Sequence, residues 1–406
     1  MAELKVLRLG GAAILMKNDK ISYLVGDENI TVSPVAPYSD QICSFLNVLS
    51  HKLMMYKEYP DIISLAFFCR KANILKLKSE FERNEKRVGR GLVFHIAPSN
   101  VPVNFAFSFI FGLLSGNANI VRVPSKNYVQ TDLICHAVND VLSDKVYAEI
   151  KEQTAIIRYP QDDEITAFFS KTCNARIIWG GDQAIQNIRM FSVPERTVEI
   201  VFSDRYSLSV IQSEEIMNLS DTALKRLADN FYNDTYLMDQ NACSSPQLVV
   251  WLGTRSIDAK DKFWQEVYKS ALKYDLDPIK TVDKYTELLR YAIDVENIRN
   301  VKRYDNLIYC LELSQLPQNT DTLRGKFGFF FGYDCKDLSG IAGIVNTKYQ
   351  TLTYFGVDKD VLKDFILGNH LVGIDRVVPI GKALDIGVIW DGYDVIGSLS
   401  RVIIIE

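Results

Sequence analysis

The sequence of 406 residues lacks an excess of basic residues, since 46 Lys and Arg stand against 50 Asp and Glu. Nucleic-acid-binding domains need a strongly basic surface, so this balance argues against that class. Histidine is scarce, with four residues, and the seven cysteines form no Cys-x-x-Cys pair. Structural zinc sites and disulfide frameworks depend on such spacings or on even counts, so we expect no metal and a reducing, cytoplasmic compartment.

Long apolar runs are also absent. The longest, Phe105–Leu114, is far shorter than the ~20 residues that span a bilayer. Near the N-terminus, Gly10–Met16 is apolar but short, and no convincing cleavage site follows it. With 48% hydrophobic and 24% charged residues, the sequence predicts a soluble globular protein. Its length predicts two domains, or one with large insertions.

Apolar strand-like runs alternate with helical segments between residues 91 and 202. Such alternation predicts a parallel sheet covered on both faces, with ligands bound outside the carboxyl ends of the strands. A nucleotide-type cofactor is therefore expected in this half. The predicted strands are Leu92–Ile96, Ile120–Val123, Ala155–Ile157, Arg176–Trp179 and Thr197–Phe202.

Two polar turns follow predicted strands and carry candidate site residues. Ser99 and Asn100 lie in a turn stiffened by proline, where a rigid amide could stabilise an oxyanion, although asparagine is also a common turn residue. Gly180 and Gly181 could let a pyrophosphate approach a helix N-terminus. Their spacing matches neither a Walker A loop nor the full Gly-x-Gly-x-x-Gly pattern, so a plain strand-to-helix turn is equally compatible.

A third polar turn combines positive charge with a hydroxyl. Arg122 and Lys126 flank Ser125 at the end of a predicted strand. Two cations around a hydroxyl could clamp a ribose phosphate, and a 2'-phosphate in particular, which favours NADPH over NADH. A solvated surface pair is the alternative.

Cys243 lies in a polar loop between a predicted amphipathic helix and the apolar strand Gln247–Leu252. A thiolate is both a good nucleophile and a good leaving group, which suits a covalent thioester. Taken alone, this position is better explained by an ordinary small buried residue, as most free cysteines are. The helix is predicted from apolar residues that share one face: Leu224, Leu227, Ala228 and Phe231.

Four segments resemble the acyl-CoA reductases of the bacterial bioluminescence type, within the aldehyde dehydrogenase superfamily. They are Gly89–Pro102, Gly116–Ser125, Gln240–Gln247 and Val388–Tyr393. The matching region runs in the family's order over roughly residues 55 to 406, which is more specific than a lone motif. The resemblance implies an α/β fold of the aldehyde dehydrogenase type, with a Rossmann-type cofactor lobe and an α/β catalytic lobe.

The same resemblance implies roles for individual residues. Cys243 is similar to the nucleophile that takes the acyl group, and Asn100 to the superfamily's oxyanion-hole asparagine. Arg122 stands where a basic residue reaches the cofactor ribose, and Gly180–Gly181 where the superfamily places a turn under the pyrophosphate. The remaining candidate cofactor residues are their neighbours Ser99, Ser125 and Lys126.

One departure from the superfamily pattern bears on the reaction. Oxidative aldehyde dehydrogenases carry a glutamate upstream of the cysteine that activates the hydrolytic water. The corresponding stretch here, Val201–Arg205, has no glutamate, and both Glu199 and Asp204 are out of register. An enzyme that passes its thioester to hydride rather than to water can lack that base.

The sequence therefore predicts NADPH-dependent reduction of an acyl-CoA, or another acyl thioester, to the aldehyde through a thioester on Cys243. An NAD(P)-dependent aldehyde dehydrogenase or acyl-phosphate reductase is an alternative. A second alternative is a cofactor-free acyl carrier that partners an acyl-activating synthetase. No segment encodes the length of the acyl chain.

For the architecture we predict a cofactor lobe over residues 1–208, a catalytic lobe over 209–380, and a tail over 381–406. The tail is expected to return to the first lobe or to a neighbouring subunit, and the resemblance implies a homo-oligomer. Val402–Ile405 is apolar without alternation, which predicts burial on both faces.

Overall fold

The computed structural model describes residues 3–8, 12–81 and 86–406. The chain forms two compact units: one contains the residues up to Ser203 together with Ile386–Glu406, and the other is Asp204–Asp385. The sequence predicted the boundary between the lobes after residue 208. In the structure this position falls inside a strand of the second unit, which begins at Tyr206 and pairs there with Tyr349.

The first unit contains the following elements in chain order. Its strands are β1 (Glu3–Arg8), β2 (Ala12–Lys17), β3 (Ser22–Val25), β4 (Asn29–Val32), β5 (Lys86–Gly89), β6 (Leu92–Ile96), β7 (Ala118–Arg122), β8 (Thr154–Arg158), β9 (Ala175–Trp179) and β10 (Val198–Phe202). Its helices are α1 (Asp40–Leu53), α2 (Pro60–Phe68), α3 (Lys71–Phe81), α4 (Asn104–Leu114), α5 (Val129–Leu142), α6 (Ala148–Glu152), α7 (Asp163–Thr172) and α8 (Asp182–Arg189).

The second unit contains the next elements, and the chain then returns to the first. The second unit has β11 (Tyr206–Gln212), α9 (Ser213–Asn218), α10 (Asp221–Thr235), β12 (Leu248–Leu252), α11 (Ser256–Ala271), α12 (Pro278–Asp294), β13 (Ile298–Tyr304), β14 (Ile308–Leu313), β15 (Phe329–Cys335), α13 (Ser339–Ala342), β16 (Tyr349–Phe355), α14 (Lys359–Gly368) and β17 (Arg376–Pro379). The final elements are β18 (Ile389–Trp390), β19 (Tyr393–Asp394), α15 (Val395–Leu399) and β20 (Ser400–Ile403).

The main sheet of the first unit has six strands in the order β10-β9-β6-β7-β8-β3. All neighbours are parallel except β3, which runs antiparallel to β8. Apolar clusters cover both faces: α1, α4 and α5 pack on one, and α7 and α8 on the other. The predicted doubly covered parallel sheet is confirmed, because strands buried on both faces read as continuous apolar runs.

The helix α4 ends as its sequence predicts. Gly116 follows the C-cap with φ +80°, and its N–H bonds to Leu113 O at 2.8 Å. This left-handed conformation favours glycine, and an added Cβ would lie 2.1 Å from Val35 O. The glycine therefore closes the helix and allows the chain to turn directly into β7.

The sheet of the second unit has seven strands in the order β13-β14-β15-β12-β11-β16-β17. Only β13, an edge strand, is antiparallel to its neighbour. One face is covered by α10 and α11, whose buried side chains include Phe231 and Trp264. The other face packs on α12, α13 and α14. None of the helices in the described ranges is long and apolar enough to cross a bilayer.

The C-terminal strand differs from the prediction. β20 pairs with β5 in a separate two-stranded ribbon rather than entering a main sheet. Val402 is 44% exposed, Ile404 78% and Ile405 80%. The prediction that Val402–Ile405 is buried on both faces is therefore wrong within one chain, because a two-stranded ribbon has no second layer to cover it.

Candidate active site

The carboxyl edge of the first unit's sheet has the geometry of a nucleotide site. From β6 the chain continues to β7 and β8 on one side, and then returns to β9 and β10 on the other. The crevice between β6 and β9 is therefore a topological switch point, where ligands of open α/β sheets bind. The turn after β6 carries Ser99 and Asn100, and the turn after β9 carries Gly180 and Gly181.

Ser99 and Asn100 are both exposed in the turn that follows β6. The Ser99 carbonyl accepts a hydrogen bond of 2.5 Å from the Tyr128 hydroxyl. Lys126 lies over the Tyr128 ring, with its Nζ 4.8 Å from the ring centroid. The turns after β6 and β7 are thus linked through one tyrosine, which brings three of the predicted residues to one edge.

Arg122 ends β7, and its guanidinium carbon lies 4.7 Å from the centroid of the Tyr159 ring. Its Nε is buried and has no hydrogen-bond partner within the described chain. The Ser125 hydroxyl is 3.5 Å from Tyr159 O. Stacking on Tyr159 fixes the direction of the guanidinium, and the buried unpaired N–H is a donor that a bound phosphate or ribose could satisfy.

Gly180 and Gly181 connect β9 to α8, and Gly181 is the N-cap of that helix. A Cβ added at Gly181 would meet no atom within 4 Å, and one at Gly180 would meet only Ala184 Cβ at 3.4 Å. The protein itself therefore does not require a glycine at position 181. Close approach of a ligand to the backbone would require one, although Asp182 in the first turn opposes an anion there.

A buried polar network behind this edge was missed by the sequence analysis. His95 Nε2 lies 3.0 Å from Asn119 Oδ1, while Asn119 Nδ2 donates to a backbone carbonyl at 2.7 Å. His95 Nε2 must therefore carry the proton, and Nδ1 accepts from the Ser108 hydroxyl at 2.8 Å. Ser108 in turn accepts from the Trp179 indole N–H at 3.1 Å. The network fixes Trp179, the last residue before the glycine turn.

Burial lowers the pKa of His95 to about 4, although the hydrogen bond with Asn119 opposes that shift. The ring is therefore neutral at physiological pH, as the network requires. Trp179 also stacks on Phe202, with ring centroids 3.9 Å apart. The sequence contains no motif that indicates this network, because a buried histidine in an apolar strand does not change the pattern of apolar residues.

In the second unit, Cys243 lies at the amino edge of the sheet. It is a partly exposed residue in the loop that leads into β12. The hydroxyl of Ser207, near the start of β11, donates to Cys243 O at 2.6 Å, and Ser207 also accepts from Thr351 N at 3.1 Å. The backbone of Cys243 is therefore fixed to two neighbouring strands.

Gln240 holds the thiol loop from inside. The side chain is 2% exposed, and its Nε2 donates to Pro246 O at 3.1 Å and to Phe329 O at 2.9 Å. Its Oε1 accepts from the N–H groups of Gly328 and Phe329, both at 3.1 Å. One buried amide thus satisfies four backbone groups and clamps the thiol loop to the start of β15.

A second set of contacts fixes the residue before the clamp. Asp239 and Gln240 both have positive φ, at 53° and 61°, which non-glycine residues rarely adopt. The Asp239 carboxylate accepts from the Tyr274 hydroxyl at 2.5 Å and forms an ion pair of 2.9 Å with Lys280. These bonds hold the strained backbone, so the conformation of the thiol loop is determined before any substrate binds.

The other six cysteines are poor candidates for a nucleophile. Burial raises the pKa of each of their thiols, which disfavours the reactive thiolate. They are Cys43, Cys69, Cys135, Cys173, Cys310 and Cys335.

The sequence profile of the acyl-CoA reductase (LuxC) family matches residues 35–275, which is more than half of the chain. The chain belongs to this family. The match includes the turns after β6, β7 and β9 and the whole thiol loop.

Two relatives of this acyl-CoA reductase family member match parts of it. A long-chain acyl-protein thioester reductase 2 from Photobacterium leiognathi is 22% identical over 191 residues, or 47% of this chain and 37% of the relative. A long-chain acyl-protein thioester reductase from Vibrio harveyi is 23% identical over 238 residues, or 57% of this chain and 44% of the relative. The matched segments thus span less than half of either relative.

Solved structures of similar fold include aldehyde dehydrogenases. An NAD-dependent benzaldehyde dehydrogenase from Corynebacterium glutamicum aligns with a TM-score of 0.60 and 11% identity, covering 95% of each chain. A proline utilization A variant from Bradyrhizobium japonicum aligns with a TM-score of 0.63 and 12% identity, over 90% of this chain and 42% of that one. The fold of this acyl-CoA reductase family member is therefore aldehyde dehydrogenase-like.

The two carboxylates near the position of the missing glutamate are engaged by arginines. Glu199 accepts from Arg176 Nε at 2.9 Å and from Arg189 Nε at 2.6 Å. Burial alone would raise the pKa of Glu199, but the bonds from Arg189 and Arg176 outweigh it and lower the pKa. Asp204 pairs with Arg324 at 2.8 Å. Both carboxylates are thus held in ion pairs with arginines.

Proposed function

We propose that this chain is an NADPH-dependent acyl-thioester reductase that carries its acyl group on Cys243. The observation that supports this most directly is the thiol loop. A partly exposed cysteine lies in a loop that a buried and fully hydrogen-bonded amide holds in place. Such a loop suits a nucleophile whose direction of attack must be fixed.

In the proposed reaction, Cys243 Sγ attacks the carbonyl carbon of the acyl thioester. The negative charge that develops on oxygen is stabilised by the Asn100 side-chain amide and a backbone N–H beside Cys243. The original thiol leaves when the tetrahedral adduct collapses, and the acyl group remains on Cys243. Asn100 and Cys243 belong to different units, so their joint role rests on this proposal.

The first unit has residues that fit a dinucleotide. Gly180 and Gly181 leave the α8 N-terminus open to a pyrophosphate, and Arg122 offers a buried unpaired N–H. Ser99, Ser125 and Lys126 lie in the adjoining turns. The bound cofactor would supply hydride to the acyl carbonyl. The role of the protein is to hold that carbonyl at Cys243.

The acyl donor is either acyl-CoA or an acyl group on a protein thiol. The two relatives above are named for acyl-protein thioesters, and the family for acyl-CoA. A panel of acyl-CoA chain lengths, compared with the same acyl groups on a carrier protein, separates the two by NADPH consumption. The homo-oligomer, the synthetase partner and the cytoplasmic location stay predictions.

The deciding experiment is acylation with radiolabelled acyl-CoA in the absence of cofactor. Wild-type protein should retain the label through a hydroxylamine-sensitive bond, and Cys243→Ala should retain none. Cys335→Ala is the matched control, because Cys335 is also partly exposed and in the same unit. Label that persists on the Cys243→Ala protein would refute the nucleophile.

Two further assays test the alternatives. Rapid carboxylate formation from an aldehyde, without CoA, would indicate an oxidative aldehyde dehydrogenase; the engaged Glu199 and Asp204 argue against it. Titration with NADPH, followed by cofactor fluorescence, addresses the acyl carrier. Acylation without any NADPH binding would favour a carrier that works with a synthetase.

A further inference from the structure

The helix α12 in the second unit has two apolar faces. Its inner face is formed by Lys284, Leu288 and Tyr291, which are buried. Lys284 Nζ donates to the carbonyls of Asn306 and Leu307, both at 2.9 Å, and so anchors the helix to the β13–β14 hairpin. The inner face thus accounts for how α12 packs on its own chain. It does not explain why the outer face is apolar.

The outer face is an apolar stripe exposed to solvent. Ile279 is 71% exposed, Val282 64%, Leu289 48% and Ile293 82%. With Thr286 between them, these residues follow the alternating spacing of three and four that marks the a and d positions of a heptad. We call Ile279, Val282, Thr286, Leu289 and Ile293 the α12 stripe. It lies opposite the inner face.

The composition around the α12 stripe argues against a lipid surface as its partner. Exposed apolar residues are common singly, but a contiguous row along one helix marks an interaction site. Helices that lie on membranes carry Lys and Arg on their polar face. The charges on the rest of the helix surface are mixed in sign, since Asp283 and Glu287 balance Lys280 and Arg290.

We propose that the α12 stripe pairs with the α12 stripe of a second copy of this chain, in the antiparallel direction. In one register Val282 lies opposite Ile293 of the second copy, and Thr286 lies opposite Leu289. A twofold axis repeats both contacts, as in other isologous interfaces. Two heptad positions flank such a seam on each helix, and their side chains select the register.

The flanking side chains favour this register on charge and on size. It places Asp283 beside Arg290 of the second copy, twice per pair, and Tyr285 beside the small Ala292. Sliding the helices by one heptad would instead place Asp283 beside Asp283 of the second copy, and like charges destabilise a pair. Within one chain Arg290 pairs with Glu287, and it can contact both carboxylates.

The size of the contact predicts a weak association. Stable interfaces bury about 1,200–2,000 Å² in total, and the facing turns of two helices provide less than that. We therefore expect a concentration-dependent equilibrium with a dissociation constant in the micromolar range. This inference does not depend on the proposed function, because none of the residues of the α12 stripe belongs to the proposed site.

Sedimentation velocity of the full chain between about 1 and 100 µM tests the association. The weight-average mass of the wild type should rise with concentration, and Leu289→Glu should remove that rise. Val361→Glu is the matched control, since Val361 is 52% exposed on α14 of the same unit and should leave the rise unchanged. A mass that is independent of concentration in the wild type, or unaffected by Leu289→Glu, would overturn the proposal.

Charge reversal tests the antiparallel register itself. Asp283→Arg and Arg290→Asp should each weaken self-association about tenfold or more, because each places like charges together twice. An equimolar mixture of the two variants should regain association, since every flanking pair is then opposite in charge. Circular dichroism of each variant checks that α12 remains helical. A mixture no stronger than its components would refute the register and the proposal with it.

Discussion

The two parallel sheets of this chain place their candidate chemistry at opposite edges. In the first unit, the predicted cofactor residues lie where β6, β7 and β9 end. In the second unit, the thiol loop lies where β11, β12 and β15 begin. The general rule for open α/β sheets describes the first unit and not the second.

The difference shows what each edge must supply. A cofactor phosphate needs free N–H groups, which a helix N-terminus provides without any special side chain. A nucleophile needs a fixed direction, and in the proposed site a buried side chain would provide it. Gln240 makes four bonds to backbone groups of the loop and of β15, and Ser207 adds one to Cys243 O. The geometry of the thiol loop in the second unit therefore depends on particular side chains, whereas the carboxyl edge of the first unit depends on the backbone.

One buried polar cluster in each unit also differs in charge. In the first unit the network through His95 and Ser108 is neutral. In the second, Lys260 is 3% exposed and pairs with Glu312 at 2.5 Å and with Asp334 at 2.7 Å. Removing one partner of a buried ion pair costs more than removing a neutral partner. We therefore expect substitutions at the Lys260 ion pairs to have larger effects than substitutions in the His95 network.

The largest effect should follow Gln240→Glu. The new carboxylate faces the carbonyls of Pro246 and Phe329, where the amide donated two hydrogen bonds. The free energy of unfolding should fall by about 2–4 kcal/mol, and kcat by about a hundredfold or more, with a smaller change in KM. Urea unfolding and steady-state rates measure both.

The exposed Gln318 in the same unit supplies the control for this substitution. Gln318→Glu adds the same charge to the surface and should change neither quantity. The rate of iodoacetamide modification of Cys243 gives an independent reading of the loop. If Gln240→Glu retains wild-type kcat and stability, the clamp is not what holds the thiol.

The first unit's fold was largely predictable from the sequence, for a physical reason. Strands buried on both faces, such as Leu92–Ile96 and Arg176–Trp179, must be continuous apolar runs, and the helices between them are amphipathic. The polar turns at the strand ends then follow from the alternation alone. The candidate cofactor residues could be named because their position depends on topology.

The support of the thiol could not be predicted. Gln240 is adjacent in sequence to the site, but its bonds go to Phe329 and Gly328, which only the folded chain brings near. The network of His95 likewise joins residues from separate elements. Burial of Val402–Ile405 was predicted wrongly because an apolar run does not reveal whether a second layer covers it.

In the first unit, His95 should make stability sensitive to acid. Its pKa is about 4 in the folded chain and about 6.5 when unfolded, so the unfolded state binds more protons between these values. The stabilisation is therefore present above about pH 6.5 and is lost as the pH falls through 4. The total is roughly 3 kcal/mol.

Hydrogen exchange of β6 peptides across this pH range measures the loss. His95→Gln should lower stability at pH 7.5 and flatten the dependence between pH 6.5 and 4. His136→Gln is the control, because His136 is at the surface, with a side chain 69% exposed. An acid profile that is the same in wild type and His95→Gln would show that other groups cause it.

Arg122→Ala tests whether the carboxyl edge of the first unit selects NADPH. A charge-assisted hydrogen bond contributes about 1.5–3 kcal/mol, so the KM for NADPH should rise about ten- to hundredfold. The KM for NADH should change much less. Arg70→Ala is the matched control, because Arg70 also stacks on an aromatic ring, with its guanidinium carbon 4.8 Å from the Phe67 centroid. An equal rise in KM for both cofactors would show that Arg122 supports the fold and does not select the cofactor.

The smallest effect is expected for Gly181→Ala. This substitution tests directly whether the carboxyl edge of the first unit binds its ligand through the backbone. Gly181 has φ −71°, which alanine adopts freely, and its added Cβ would meet no protein atom within 4 Å. Stability should therefore stay within about 0.5 kcal/mol of wild type, while NADPH affinity falls about tenfold because the methyl group occupies the approach to the helix N-terminus. Gly343→Ala is the control in the second unit, since its Cβ also meets nothing and its φ is −69°. Fluorescence titration with NADPH should show weaker binding for Gly181→Ala than for Gly343→Ala. Equal NADPH affinity would mean that no ligand approaches the backbone at Gly181, and the proposed pyrophosphate site at the carboxyl edge would be wrong.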